Sequence, residues 1–194
     1  LLAAADYGKW ESLGFGAALA PDGRWVGYQL NRVDEENQLR IQTTAADPAA
    51  IRAAGGQPTT SVPYGTGAAF SADSRWAAYL IGLSPSERDK ATAAKRPIYN
   101  RLGLLELATG KTVIFDRIAS FRFSADGRHL ALRAYPPEGK TIAAIDLVVR
   151  DLAAGTMTSF GNVSEYAWAD RGAAIALAVE SETAAVNGVQ LFNA

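Results

Sequence analysis

Residues 123–132 read Phe-Ser-Ala-Asp-Gly-Arg-His-Leu-Ala-Leu, which is an aromatic residue, a tight turn and then an alternating strand. The same phrase returns in three other places, at residues 19–28, 70–79 and, in a weaker form, 168–177. Its turn stands at positions 22, 73, 126 and 171, so the intervals are 51, 53 and 45 residues. A period of about 40–50 residues with several strands in each repeat is typical of β-propeller blades. The sequence therefore predicts an all-β fold made of repeated antiparallel sheets.

Each repeat divides into four predicted strands, which we name A to D from the innermost outward. The A–B turn carries Asp-Gly in the first and third repeats. This pair is a strong hairpin signal, because Gly reaches positive φ without steric cost. Apolar residues then alternate along strand B, as expected for a β-strand. Between them lies a column of small residues: Gly27, Ala78, Ala131 and Ala176. A position that stays small in every repeat predicts close packing of one blade against the next.

The repeats predict a β-propeller fragment with three complete four-stranded blades and most of a fourth. The predicted blades cover about residues 15–62, 66–116, 118–161 and 163–194, and strand D of the first is predicted at 59–62. A closed propeller usually has about 4–8 blades, and a partial ring leaves sheet edges unpaired. We therefore expect the chain to be part of a longer protein.

The B–C loops differ most between repeats, at residues 31–37, 82–100, 135–143 and 180–187. Because these loops occupy the same place in every blade, we expect them on one face, where such insertions often form a binding surface. The second loop contains a predicted helix at about 85–95, with Ser84 as N-cap, Pro85 in the first turn and Glu87 closing a capping box. Pro97 is predicted to end this helix.

Composition limits the classes of function. The chain has 194 residues, of which 48% are hydrophobic and 20% charged, and its net charge is −1. This balance gives no reason to expect a nucleic-acid partner, and no apolar run reaches the roughly 18 residues of a membrane span. The absence of cysteine excludes disulfides and thiolate metal sites. The start Leu1-Leu2-Ala3-Ala4-Ala5 favours a periplasmic or secreted protein, with an arbitrary cut end as the alternative.

The sequence contains no motif for a catalytic, metal or cofactor site. The nucleophile elbow G-x-S-x-G, the phosphate-binding loop and the zinc motif H-E-x-x-H are all missing. His129 is the only histidine, and it falls in the column held by Trp25 and Trp76, which favours packing over catalysis. The turn aspartates are about fifty residues apart, so we expect them to cap turns rather than converge on a calcium ion. We therefore expect no catalytic residue, metal or cofactor here.

Five residues on the B–C loops are candidates for substrate binding. Asp34, Glu35 and Glu36 form an acidic cluster in the first loop, which suits the ammonium group of a substrate. A solvated, charged hairpin tip is the simpler alternative. Tyr99 and Arg101 follow the predicted helix and are candidates for contacting a partner.

Longer runs in the chain resemble a known family. The phrases Phe-Ser-x-Asp-Gly-Arg and Asp-Leu-Ala-x-Gly, with the runs at 8–11, 84–88 and 159–166, are similar to the blades of prolyl-oligopeptidase-like serine peptidases. The resemblance extends from about Tyr7 onward. It implies an N-terminal propeller followed by an α/β-hydrolase domain that carries Ser, Asp and His, with the propeller restricting entry to peptides and small unfolded substrates. None of the triad motifs has a counterpart here, so the resemblance assigns no catalytic residue.

Two functions stay open at this point. The first is a non-catalytic propeller segment that gates and orients peptide substrates, with a downstream hydrolase domain or the remaining blades as its partners. The second is a binding propeller of the TolB or WD40-like type, which serves as a protein–protein platform. A G-x-S-x-G motif further along the reading frame would favour the first, and further blades followed by a stop codon the second. A propeller glycosidase needs a convergent pair of carboxylates, and the sequence offers no obvious pair.

Overall fold

The computed structural model describes residues 10–33, 35–47, 49–53, 55–137, 145–180 and 187–194. The strands are β1 (Glu11–Leu13), β2 (Ala18–Leu19), β3 (Trp25–Arg32), β4 (Gln38–Thr43), β5 (Thr59–Pro63), β6 (Gly65–Phe70), β7 (Trp76–Ile81), β8 (Arg101–Glu106), β9 (Thr112–Phe115), β10 (Ile118–Phe123), β11 (His129–Ala134), β12 (Ile145–Asp151), β13 (Met157–Trp168), β14 (Ala174–Val179) and β15 (Gly188–Asn193). The helices in this part of the chain are α1 (Ala49–Ala53) and α2 (Pro85–Ala93).

The chain divides into two compact units. The first contains the residues through Phe70 and Ser74–Asp116, and the second contains Ser71–Asp73 and the residues from Arg117 onward.

The first unit holds two antiparallel sheets. In one sheet the strand order is β1-β3-β4-β5, and β2 also pairs with β3. The other sheet has the order β6-β7-β8-β9. Strand β5 covers Thr59–Pro63, which confirms the strand D predicted for the first repeat. Tyr64 follows it with a left-handed φ of 56° and begins the connection to the next sheet.

The second unit holds one six-stranded antiparallel sheet, in which β10 to β15 follow each other in chain order. Strand β13 runs without a break from Met157 to Trp168, so it joins the last strand of the third repeat to the first strand of the fourth. The pairing register shifts between Val163 and Glu165, beside Asn162 with φ 57°. The predicted all-β, antiparallel fold is confirmed. The division into blades and the blade count stay predictions.

The Ser-x-Asp part of the repeated phrase builds the A–B turn. The Ser124 hydroxyl donates to Asp126 Oδ1 at 2.6 Å and accepts from the His129 N–H at 3.0 Å. Asp126 Oδ1 also accepts from the Arg128 N–H at 3.0 Å. Partial burial acts to raise the pKa of Asp126, but the Ser124 hydroxyl and the Arg128 N–H hold it below its usual range. The carboxylate is therefore a structural element of the turn.

Two other turns repeat parts of this arrangement. Ser71 donates to Asp73 Oδ1 at 2.6 Å, and Asp22 Oδ1 accepts from the Arg24 N–H at 2.9 Å. Ser74, which replaces the usual Gly, takes the same left-handed backbone with φ 55°. Because the carboxylates bond to groups within two residues of themselves, the predicted role in capping turns is confirmed.

The two sheets of the first unit pack against each other at Gly27. A Cβ placed on Gly27 would lie 2.9 Å from the Ala68 Cβ and 3.7 Å from the Phe70 ring, so β6 lies directly over this position. Ile41, which pairs with Gly27 on the same side of the sheet, is completely buried. The close packing predicted from the column of small residues is confirmed at this junction.

The second unit has its own core around Ala131, the equivalent small residue of the third repeat. Ala131 is completely buried. The other buried members of this core come from β12, β13 and β14: Leu147, Val149, Val163, Ile175 and Leu177. Tyr166 and Trp168 of β13 pack against it from the fourth repeat. The strand that begins the fourth repeat thus supplies large side chains to the core that contains Ala131.

The predicted helix at 85–95 forms as α2 over Pro85–Ala93. The predicted capping box is confirmed, since the Ser84 hydroxyl accepts from the Glu87 N–H at 3.3 Å and Glu87 Oε2 accepts from the Ser84 N–H at 3.0 Å. The helix ends earlier than predicted because Lys95 takes a left-handed φ of 51°, which turns the chain away before Pro97 is reached.

Helix α1 was not predicted. It lies in the C–D connection of the first repeat, where alanine has high helix propensity, and its first N–H, from Ala49, donates to Asp47 Oδ1 at 2.9 Å. Among the described residues, no helix combines the length and the apolar character that crossing a bilayer requires.

We expect Gly27→Ala to lower the free energy of unfolding by about 1–3 kcal/mol, because the added methyl group overpacks the junction with Ala68. Urea unfolding followed by tryptophan fluorescence measures the change. Gly188→Ala is the matched control, since a Cβ at Gly188 meets no atom within 4 Å. The control should stay within about 0.5 kcal/mol of the parent chain. Equal effects of the two substitutions would contradict close packing at Gly27.

We expect Ser124→Ala to lower the free energy of unfolding by about 1–3 kcal/mol at neutral pH, because the buried N–H of His129 loses its acceptor. The folded pKa of Asp126 is depressed, so its stabilising effect is complete above the unfolded value near 3.8 and is lost as the pH falls through the folded pKa. The deficit of the variant should therefore shrink in acid. Urea unfolding at neutral pH and at a pH below the folded pKa of Asp126 measures the difference, with the exposed Ser159→Ala as control. A loss of stability that is the same at the two pH values would show that Ser124 does not stabilise the Asp126 carboxylate.

Candidate functional site

The structure joins the first two B–C connections through an ion pair. Glu35 lies in the turn after β3, and Arg88 lies near the start of α2. Arg88 Nη2 donates to Glu35 Oε2 at 2.7 Å. This hydrogen bond and the charge of Glu35 hold the pKa of Arg88 above its ordinary value. The two side chains are 49% and 62% exposed, so the pair contributes little to global stability. Its local effect is to tie the helix to the neighbouring loop.

The backbone around Glu35 is fixed in a tight turn. Its φ is 60°, in the left-handed region that residues other than Gly seldom adopt. The Glu35 N–H donates to the Arg32 carbonyl at 3.2 Å, and the Arg32 N–H donates to Asn37 Oδ1 at 2.9 Å. The Arg32 side chain is itself held by Glu11, with Nη2 and Oε1 2.7 Å apart. The residue whose carboxylate meets α2 is therefore hydrogen-bonded through its backbone to the end of β3.

Helix α2 is polar on all sides and buries none of its residues. Hydrogen bonds from the Ser84 hydroxyl and N–H lower the pKa of Glu87, and the positive charge of Arg101 lowers it further. Arg101 stands at the start of β8, so its charge acts on the first turn of the helix. We call Glu35, Glu87, Arg88 and Arg101 the charged B–C face.

The five sequence candidates are distributed unevenly over this region. Glu35 and Arg101 belong to the charged B–C face, Glu36 is exposed beside it, and Tyr99 is half-buried in the segment that leads to β8. Asp34 lies outside the described residues. Arg88 was not among the candidates, because the mixed charges of its helix are typical of a solvated surface. The signal that points to it is an acidic loop tip and a helix that carries Arg88 in its first turns, at the same place in adjacent repeats.

His129 lies in the core of the second unit. Its side chain is only 10% exposed, and its ring stacks on Trp168 with the centroids 6.3 Å apart. Nε2 lies 3.9 Å from Asp151 Oδ2, and Nδ1 has no hydrogen-bond partner among the described residues. Within the described ranges, no group of three or more His, Asp or Glu side chains is placed to hold a metal ion. The surroundings of His129 are those of a packed aromatic residue.

The first unit also has a pocket of about 510 Å³ at the opposite ends of its strands, where the A–B and C–D turns lie. Its lining mixes apolar side chains with charged ones: Trp25, Ile51, Leu107, Asp22, Arg24 and Asp47. Asp22 and Asp47 each accept a backbone N–H of their own turn, at 2.9 Å in both cases. These carboxylates therefore hold the turns that shape the pocket.

We expect Glu35→Arg and Arg88→Glu each to speed hydrogen exchange in α2 by up to about fivefold at low salt, because each change replaces an attraction by a repulsion. The double variant restores opposite charges and should return exchange to the parent rate. High salt should reduce all the differences. Arg96→Glu, the same change of charge just beyond the helix, is the control. Failure of the double variant to recover would show that the pair does not hold the helix.

No protein-family model and no curated protein sequence matches this chain. Solved structures of similar fold include the β-propeller domain of the Trilobed protease from Pyrococcus furiosus, at 12% identity and a TM-score of 0.58, covering 97% of this chain and 56% of that one. Prolyl oligopeptidase B from Galerina marginata matches at 14% identity and a TM-score of 0.53, covering 100% and 30%. A eukaryotic initiation factor matches at 14% identity and a TM-score of 0.56, covering 94% and 41%.

At such low identity these similarities concern the fold alone. The chain spans between 30% and 56% of the length of these three structures. The resemblance stated from the sequence is confirmed at this level: the chain has the β-propeller fold found in the propeller portions of prolyl-oligopeptidase-like peptidases.

Proposed function

We propose that this chain is a non-catalytic propeller segment of a prolyl-oligopeptidase-like serine peptidase. In this proposal it gates and orients peptide substrates for a C-terminal α/β-hydrolase domain. The observation that carries the proposal is the fold similarity to peptidase propellers over 97% to 100% of the chain. The sequence runs similar to that family, and the lack of a nucleophile-elbow motif in this chain, support the same assignment.

The charged B–C face supplies the proposed contact with peptides. The Glu35 carboxylate is an acceptor for a peptide amine, and the guanidinium groups of Arg88 and Arg101 are donors for peptide carbonyl or carboxylate groups. Because α2 buries no residue, a small difference in free energy is enough to move it. A low-stability element beside a substrate path is the usual form of a gate.

The dependence of activity on peptide length tests this function. In the protein encoded by the whole reading frame, Arg88→Glu should change kcat/KM by about threefold for long peptides and much less for short ones, because only long peptides reach the charged B–C face. Lys111→Glu, in the C–D turn of the second repeat, is the matched control. The isolated 194-residue chain should not hydrolyse peptides. Inhibitor-sensitive turnover by the isolated chain, or equal changes for all peptide lengths, would refute the proposal.

The second candidate is a protein-binding platform of the TolB or WD40-like type. The similarity to the initiation factor favours keeping it, since that match has a TM-score of 0.56 and shows that the fold is not restricted to peptidases. Reading the gene beyond residue 194 separates the two candidates. A hydrolase domain with G-x-S-x-G supports the peptidase, and further repeats without one support the platform.

A further inference from the structure

The connection between strands C and D is much longer in the first repeat than in the two repeats that follow. It runs from residue 44 to residue 58, whereas the second and third repeats need only residues 107–111 and 152–156. The long connection contains α1 and forms one wall of the pocket of about 510 Å³ in the first unit. We call this cavity the C–D pocket. An insertion that is confined to one repeat often supplies a binding surface.

The C–D pocket lies away from both ends of the sequence and has a fixed wall structure. All of its lining residues lie between Asp22 and Ala108. The Asp22 N–H donates to Ser74 Oγ at 3.0 Å, which connects the A–B turns of the first two repeats. The Thr44 hydroxyl donates to the Gly23 carbonyl at 2.6 Å and ties the long connection to the same turn. The pocket is therefore preformed, as small-molecule sites usually are.

The buried part of the pocket lining is apolar, and the exposed part is charged. Trp25 and Leu107, which are only 7% and 2% exposed, line it together with the half-buried Ile51. The exposed part contributes two guanidinium groups and two carboxylates: Arg24, Arg75, Asp22 and Asp47. The formal charges of these four groups cancel. A ligand with a single charge would therefore match only half of them, whereas a zwitterion matches both signs.

The charged groups of the lining keep capacity for a ligand. Asp22 Oδ1 and Asp47 Oδ1 each accept one backbone N–H at 2.9 Å. A carboxylate has about four acceptor positions, so both can also accept from an ammonium group. Arg24 Nε lies 3.8 Å from Asp22 Oδ2, which is beyond hydrogen-bond distance, and the Arg24 side chain is 81% exposed. Its guanidinium donors are therefore accessible to an anionic group.

We propose that the C–D pocket binds a short apolar peptide in its zwitterionic form. The peptide carboxylate pairs with Arg24 and Arg75, the ammonium group pairs with Asp22 and Asp47, and the side chains lie against the apolar part of the lining. The volume falls within the range of about 300–1,000 Å³ that is usual for small-molecule sites. The pocket lies at the opposite ends of the strands from the charged B–C face. The proposal therefore goes beyond the proposed function and does not rest on it.

Isothermal titration calorimetry of the 194-residue chain with the dipeptide Leu-Leu tests the proposal. Blocked forms of the dipeptide serve as comparison ligands. N-acetyl-Leu-Leu has no ammonium group, Leu-Leu amide has no carboxylate, and N-acetyl-Leu-Leu amide has neither. Leu-Leu should bind at millimolar concentration or below. Each single block should raise Kd at least about fivefold, because it removes a hydrogen bond between charged groups.

Variants of the lining show whether the dipeptide occupies the C–D pocket. Arg24→Ala should raise the Kd of Leu-Leu about fivefold and leave that of Leu-Leu amide unchanged, because the amide has no carboxylate to lose. Arg128→Ala is the matched control, since Arg128 is exposed at the same position of the third repeat and lies outside the pocket. Ala50→Trp puts a large side chain on an exposed residue of α1 that lines the pocket, and it should abolish binding. Circular dichroism checks that each variant keeps the parent fold.

The comparison ligands test the proposal on the parent chain, whatever the variants do to folding. No binding of Leu-Leu at millimolar concentration would overturn the proposal. Equal binding of Leu-Leu and its doubly blocked form would overturn it as well, because the charges of the lining would then have no part in recognition. Binding that survives Ala50→Trp in a folded chain would show that the dipeptide occupies another surface.

Discussion

The structure depends on one steric constraint, which is the close approach of one sheet to the next at a single small residue. Sheets packed face to face are ordinarily about 10 Å apart, with side chains from both filling the space. At Gly27 the partner strand brings the Ala68 Cβ so near that even one methyl group would collide. The constraint makes the two sides of strand B different, because the small residue faces the next repeat while the large neighbours on either side of it face the other way. Stacking is therefore directional.

Local signals made much of this predictable. The A–B turn, the capping box of α2 and strand β5 each depend on residues within about five positions of each other, and the sequence contains all of those residues. The placement of His129 followed from the column that it shares with two tryptophans, and the structure puts its ring against Trp168. The position of the junction was predictable because the same spacing recurs in every repeat.

Other features depend on partners far along the chain. The Glu35–Arg88 pair joins residues 53 positions apart, and each of them alone has the pattern of a solvated surface. The continuity of β13 depends on β12 and β14 pairing with its two halves, while the sequence around Asn162 shows only a boundary between repeats. Tertiary context determined the outcome in each case.

The residues that cap α2 differ from the residues that attach it to the neighbouring loop. The capping box between Ser84 and Glu87 stabilises the helix itself and does not involve the rest of the unit. The attachment to the loop involves a different pair, Glu35 and Arg88, which is exposed and therefore weakened by salt. A change at the attachment removes a contact outside the helix, whereas a change at the cap removes hydrogen bonds of its first turn. A charged ligand that competes for the exposed pair would leave the hydrogen bonds of the cap in place. That separation is the physical reason why the proposed function places peptide contacts on this face rather than in the packed junctions.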